Sequence, residues 1–312
     1  MAAIGPVVMT GCGSHGVIPA GPDAYVAPPV RTVAVPVPPP APKPKEAPAA
    51  LTAIIQSAVR NFDGKAGVAV ESVDDGWIVS ANGETLMPQQ SVSKTWVAMT
   101  VLAQRDEGRL SLDDPLTITT ADLTLFHQPI AALVQKNGGR YTSTVGEIMK
   151  RALTMSDNTC NDKLLWLVGG PPAVRAFIES RKLGAIRFGP GERLLQSGTA
   201  GLTWQQRYSL GRNFYQARAA LPNEVRAKAF NAYIADPPDG AAPVAIADAL
   251  ARLKRGELLS AGSTSWLITT MQSSHTGRNR LRGEVPGDWL FGHKTGTGQD
   301  FGGRTAGYND VG

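Results

Sequence analysis

Disulfide chemistry is nearly absent from this sequence. Two cysteines, Cys12 and Cys160, in 312 residues exclude a disulfide-dense scaffold. Four scattered histidines do not make a metal cage, so neither a metal nor another cofactor is expected. No apolar run approaches the roughly 18–20 residues that a membrane-spanning helix needs. Lys and Arg outnumber Asp and Glu by 31 to 26, a mild net charge of +5. No basic stripe interleaved with aromatics occurs, so nucleic acid is not an expected partner. What the sequence does have is 42% hydrophobic against 18% charged residues, enough for a packed globular core.

The first 48 residues read as lying outside that core. Residues 18–48 are mostly Pro, Ala and Val, including Pro36-Val37-Pro38-Pro39-Pro40, and should form an extended linker. Ahead of it, Gly11-Cys12-Gly13-Ser14 within residues 1–17 resembles a bacterial lipobox, with Cys12 as the lipidated residue. The competing reading is an N-terminal tail with an incidental cysteine, because Met1–Gly11 is short and lacks a basic segment. The first reading places the protein in the periplasm, held to a membrane through its lipid.

From residue 49 the periodicities change. Leu51, Ile54, Ile55 and Val59 share a helical face, and Gly67–Val73 and Trp77–Ala81 form a β-hairpin around Asp74-Asp75-Gly76. Helices are expected from Ser91 to Gly108, over Val145–Leu153, Asn158–Val168 and Pro171–Arg181, and late at Val244–Leu253 and Ser263–Met271. Trp289–Lys294 and Arg304–Val311 read as a closing pair of strands. The fold class is therefore α/β of the α+β kind. One antiparallel sheet is assembled from both chain ends and flanked by helices, with an all-helical subdomain between.

Three short motifs carry chemistry. Ser91-Val92-Ser93-Lys94 puts a hydroxyl and an amine less than one helical turn apart, so a desolvated lysine can take the serine proton. By itself such a pair is common. Ser156-Asp157-Asn158 and Lys294-Thr295-Gly296 are rarer, each expected by chance in roughly one chain in twenty of this length, so all three in this order outweigh coincidence. Together they resemble the class A serine β-lactamases, of β-lactamase/transpeptidase-like fold. The resemblance covers nearly all of residues 50–312, through Thr144-Val145-Gly146-Glu147, Gly169-Gly170-Pro171, and Arg280-Leu281-Arg282-Gly283 with Pro286 and Trp289.

That resemblance implies a role for each residue. Ser91 is the nucleophile, Lys94 its base or proton relay, and Ser156 the donor to the departing lactam nitrogen. Lys294 supplies positive potential, Thr295 and Gly296 line the substrate strand, and Asn158 holds the substrate amide. The amides of Ser91 and Thr297 form an oxyanion hole. Asp157 ties down its own loop. Arg280, with Arg304 as competitor, faces the substrate carboxylate, and Phe126 is either a wall of the cleft or an ordinary core aromatic. No cofactor is implied, the substrate is a small β-lactam, and the protein is expected to be a monomer.

Departures concentrate around the deacylating carboxylate. Glu192 stands about 36 residues after Ser156, as in the family, but in Glu192-Arg193-Leu194-Leu195-Gln196 the usual Asn is Gln, and Pro190 replaces an arginine. Asp239-Gly240-Ala241-Ala242-Pro243 resembles the close of the omega loop but arrives with an excess of about 34 residues, read as two amphipathic helices, Thr203–Ala219 and Asn223–Tyr233. That excess leaves open whether Glu192 reaches the site or faces solvent. Asp162 replaces a usual Asn and should crowd Glu192. The hairpin from Thr297 to Asn309 is about five residues longer than the common family length, and a further strand and C-terminal helix are expected beyond Gly312. Hydrolysis of β-lactams is the leading function. The alternatives are a D-Ala-D-Ala peptidase or esterase of the penicillin-binding kind, and a non-hydrolytic β-lactam-binding cell-wall module.

Overall fold

A computed structural model describes residues 45–312. Cys12 and most of the linker lie outside the described residues. Helix α1 (Ala49–Asn61) leads into the hairpin of β1 (Val68–Glu71) and β2 (Ile78–Ala81), paired antiparallel with Val70 opposite Val79. Strand β3 (Met87–Pro88) is followed by a 3-10 turn, Gln90–Ser93, which runs directly into α2 (Lys94–Asp106). Then come β4 (Pro115–Thr119), α3 (Ile130–Lys136) and β5 (Arg140–Thr144), with β4 and β5 antiparallel. The helical subdomain continues through α4 (Val145–Thr154), α5 (Asn158–Leu167), α6 (Gly170–Ser180), α7 (Glu192–Thr199), α8 (Asn213–Ala219) and α9 (Asn223–Ala235). The chain returns through β6 (Gly240–Ala241), α10 (Pro243–Lys254) and α11 (Ala261–Gln272) to β7 (Lys294–Thr297), β8 (Asp300–Phe301), β9 (Arg304–Thr305) and β10 (Tyr308–Val311). None of the described helices is long and apolar enough to cross a membrane.

Helix α2 organises the core. Every residue from Lys94 to Gln104 is buried, so the helix has no solvent face, and α4, α5, α6 and α11 pack around it. Trp96, Met99 and Leu102 are fully enclosed, and the Trp96 indole donates to Gln89 Oε1 at 2.6 Å. The surrounding helices start where their sequences supply caps. Thr144 accepts from the Glu147 amide at the start of α4, Asp157 from the Cys160 amide at α5, and Ser260 from the Ser263 amide at α11.

The α+β class and its helical subdomain stand as expected, and several details differ. The strands of the two chain ends do not join one ladder: among the described residues β1 pairs only with β2, and β7 only with β10. The strand expected over Trp289–Lys294 begins at Lys294, because Trp289 and Leu290 sit exposed in a turn. Arg304–Val311 is split at Gly307, whose φ of +104° breaks the extended run. The helix expected over Thr203–Ala219 is a 3-10 turn, Gln206–Ser209, plus α8, interrupted at Gly211 with φ +54°.

One contact shows how tightly the end strand sits on the core. Strand β7 lies against the 3-10 turn that carries Ser91. A Cβ built on Gly296 would strike the Gln89 carbonyl oxygen, a backbone atom that cannot swing away. Gly296→Ala should therefore lower the melting temperature by several degrees and impair substrate turnover, both measurable on purified protein. An unchanged melting temperature would show that the strand does not press on the turn.

Candidate active site

Ser91 is half-buried in the 3-10 turn before α2, at the open end of the most buried helix. The preceding residue, Gln90, has a φ of +53°, a left-handed conformation that costs a non-glycine residue about 1 kcal/mol or more. Three groups surround the ammonium of Lys94, itself buried: Ser91 Oγ at 2.8 Å, Asn158 Oδ1 at 2.9 Å, and Glu192 Oε1 in an ion pair. The three N–H donors of the lysine match these three acceptors.

Ser156 faces this pair from the α4–α5 turn, with a φ of +59°. Its Oγ accepts a hydrogen bond from Lys294 Nζ at 2.9 Å, and that amine also reaches the Thr295 carbonyl at 2.8 Å. Burial, with Lys94 next in weight, holds the Lys294 ammonium well below its ordinary range. Asp157 points away from the cleft. It caps α5 and accepts from the Ile130 amide at 2.6 Å, as expected of a loop tie. Asn158 gives one Nδ2–H to the Leu125 carbonyl at 3.1 Å and keeps the other free for a ligand.

On the opposite wall, Thr295 Oγ1 is hydrogen-bonded to Thr276 Oγ1 at 2.8 Å, and Thr297 is exposed. Arg280 lies beside that strand: it donates to Thr297 Oγ1 at 2.6 Å and to the Asn309 carbonyl at 2.5 Å, and stacks on the Tyr308 ring at 3.7 Å. Arg304 is elsewhere, over the Phe230 ring and bonded to Asn231, so of the two candidate arginines only Arg280 is at the strand. Phe126 has a φ of +72°. It packs against Leu125, Ala200, Tyr208 and Phe214, and its carbonyl accepts from the Tyr215 hydroxyl. It belongs to a small apolar cluster shared with the 200–236 segment.

Glu192 opens α7 and is buried. Its carboxylate lies between Lys94 and Gln196, whose Nε2 donates at 3.3 Å. Asp162 does crowd it, in an ordered way: the carboxylate accepts from the Glu192 amide at 2.8 Å and the Arg193 amide at 3.3 Å, acting as the anionic cap of α7. Burial, and then Glu192, push the Asp162 carboxyl up to about 6. The buried Cys160 nearby carries no disulfide.

Sequence reasoning missed a buried polar network beside these residues. Asp239 accepts from the Gln90 amide at 2.8 Å and from the Tyr233 hydroxyl at 2.9 Å; Tyr233 and Gln90 are joined at 2.7 Å, and Gln90 and Gln196 at 3.0 Å. Burial pushes the Asp239 carboxyl up to about 6. The Glu192-Arg193-Leu194-Leu195-Gln196 departure was one visible signal of it. Tyr233, within α9, had none.

These buried carboxyls set a pH dependence. Asp162 and Asp239, with Asp157 raised in the same direction by burial, keep protons in the folded state that the unfolded chain releases near 3.8. Their contribution favours folding fully below about pH 4 and is lost as pH rises through about 6, by up to about 3 kcal/mol for each of the first two. The melting temperature should therefore fall between about pH 4.5 and about pH 6.5. Asp162→Asn, which keeps an acceptor for the α7 amides, should flatten the slope. A melting temperature that rises across this range would contradict the assignment.

Comparison with known proteins agrees with this geometry. The pattern of the Beta-lactamase enzyme family matches residues 50–312. The VEB-1 β-lactamase of Pseudomonas aeruginosa is 26% identical over 84% of this chain and 76% of its own. The carbapenem-hydrolyzing β-lactamase KPC of Klebsiella oxytoca is 28% identical over 76% of this chain and 68% of its own. Among solved structures, the TLA-3 extended-spectrum β-lactamase superposes with a TM-score of 0.67 at 26% identity, covering 84% of this chain and 82% of that one. A β-lactamase from Chitinophaga pinensis DSM 2588 gives 0.63 at 27% identity with the same coverage. A serine, two lysines and a buried glutamate arranged in this way, on a chain matched from residue 50 to residue 312, identify a member of the β-lactamase enzyme family, of the class A serine type.

Proposed function

We propose that this protein hydrolyses β-lactams through an acyl-enzyme on Ser91 that Glu192 clears. The observation that carries the proposal is the single amine of Lys94 in contact with both the Ser91 hydroxyl and the buried Glu192 carboxylate. In its neutral form the Lys94 amine accepts the Ser91 proton. Ser91 Oγ then bonds the lactam carbonyl carbon. The resulting oxyanion is held by the amides of Ser91 and Thr297, each such donor being worth a few kcal/mol in the transition state. The lactam C–N bond breaks as Ser156 gives its proton to the nitrogen; the proton that Lys94 took from Ser91 passes on to Ser156, and Lys294, touching that hydroxyl, offsets the negative charge that develops on it meanwhile. Thr295, Gly296 and Arg280 receive the substrate carboxylate, the free Nδ2–H of Asn158 the side-chain amide, and Phe126 borders the mouth.

Deacylation needs a water activated against the ester. Glu192 takes its proton, the hydroxide adds to the acyl carbon, and Ser91 leaves with a proton returned through Lys94. Gln196 donates to Glu192 at 3.3 Å and so helps to hold the carboxylate that takes this proton. The periplasmic, lipid-anchored location belongs to the same proposal and rests on Gly11-Cys12 and the Pro-rich stretch. Radiolabelled fatty acid fed to cells making the full gene product should label it, and Cys12→Ala should not be labelled.

Two variants separate the chemical steps. Ser91→Ala should reduce nitrocefin hydrolysis by about a thousandfold or more, since no other hydroxyl touches Lys94 among the described residues. Glu192→Gln should still acylate, so penicillin leaves a stable mass adduct on the variant and none on the wild type. If Ser91→Ala keeps wild-type turnover, the nucleophile is misassigned. If wild type and Glu192→Gln deacylate alike, Glu192 is not the base.

A further inference from the structure

Gln196 donates to Glu192, yet a glutamine amide can turn over and present its oxygen instead. In this protein its orientation is dictated from both ends. On one side, the Asp239 carboxylate only accepts, so the Tyr233 hydroxyl gives its proton there and offers only its oxygen to Gln90. Gln90 Nε2 therefore spends its two N–H bonds on Tyr233 at 2.7 Å and on the Ala306 carbonyl at 2.9 Å. Its Oε1 is left to face Gln196 Nε2 at 3.0 Å. On the other side, Arg218 of α8 only donates, and it bonds Gln299 Oε1 at 2.9 Å. Gln299 then turns its Nε2 to the Gln196 carbonyl at 2.8 Å and to Gln196 Oε1 at 3.1 Å. Both chains leave Gln196 only one way to point: oxygen to Gln299, N–H to Gln90 and Glu192.

Tyr233 and Arg218 both belong to the helices between Glu192 and Asp239. The three glutamines and Tyr233 are buried, so bulk water does not replace a lost partner at no cost. We propose that Tyr233 and Arg218 are positioning residues for deacylation: together with the Ala306 and Gln196 carbonyls they set the direction of the glutamine amides and thereby keep an N–H, rather than a carbonyl oxygen, against Glu192. Neither touches the substrate. This rests on the functional reading above, in which Glu192 activates the water.

The test uses the full chain with penicillin, following acylation and deacylation separately by rapid quench and intact mass. Tyr233→Phe removes one hydroxyl and no packing volume; Arg218→Met removes the other anchor. Each should slow deacylation about tenfold, the worth of a buried hydrogen bond, with acylation within about twofold of wild type. The double variant should be slower than either, because the two anchors act on one amide. Wild-type deacylation in both single variants overturns the proposal, as does an equal fall in acylation and deacylation accompanied by a lower melting temperature, which would make the residues merely structural. A wild-type protein that acylates and never turns over sinks the functional reading itself and this proposal with it.

Discussion

The ammonium of Lys94 is the constraint on which the site depends. A charge buried this deeply would cost several kcal/mol if left alone, and the protein surrounds it with three acceptors from three elements. Ser91 comes from the 3-10 turn, Asn158 from the first turn of α5, and Glu192 from the first turn of α7. Holding one amine therefore fixes the relative position of the nucleophile, the helical subdomain and the omega-loop carboxylate. The amine itself is immobile because it begins α2, whose every side is packed. Removing any one acceptor leaves a desolvated charge short of a partner.

Backbone strain marks the same place. Gln90, Phe126 and Ser156 each take a left-handed φ next to the cleft, and hydrogen bonds tie the backbone at or beside each of them. The Gln90 amide is fixed by Asp239, Phe126 is tied by the Tyr215 hydroxyl, and Ser156 precedes the Asp157 side chain that caps α5 and holds Ile130. Strain of this kind turns Ser91 and Ser156 toward the cleft from opposite walls, where Lys94 and Lys294 meet them. Lys294, buried and close to Lys94, is itself pressed toward its neutral form, a stability cost located where positive potential is useful.

How much of this was legible depended on distance along the chain. Ser91 and Lys94 lie within one helical turn, and Ser156 and Asn158 within one tight turn, so spacing alone announces their meeting. Glu192 and Lys294 are remote in sequence and became legible only through resemblance to a family. The glutamine network gave no such signal. Gln90 and Tyr233 are separated by 143 residues, and neither residue type advertises a role as a cysteine or histidine would. Local irregularities escape the sequence pattern for a different reason. Trp289-Leu290-Phe291 has the composition of a strand, but Trp289 and Leu290 are exposed and stand outside any ladder. Gly211 and Gly307 supply left-handed geometry that hydrophobic periodicity cannot report.

A long omega segment need not displace Glu192, and the clamp at its base shows why. Strand β6 pairs with β3, the Arg187 amide donates to the Gly240 carbonyl at 2.8 Å, and Gln89 Nε2 bridges the Arg187 and Asp239 carbonyls at 2.9 and 2.6 Å. Both ends of the segment from Arg187 to Gly240 are thereby pinned to the residues just before Ser91. Once the ends are fixed, added length costs closure entropy only logarithmically, about 0.6 kcal/mol for each doubling. Helices α8 and α9 offset that cost by burying Phe214, Phe230 and Tyr233 in small apolar clusters shared with Leu125, Leu195 and Ala306. Glu192 lies close to the clamped end, capped by Asp162 and paired with Lys94, so the chain beyond it can lengthen without moving it. The buried Asp239–Tyr233–Gln90 bonds add a further tie at the Asp239 end.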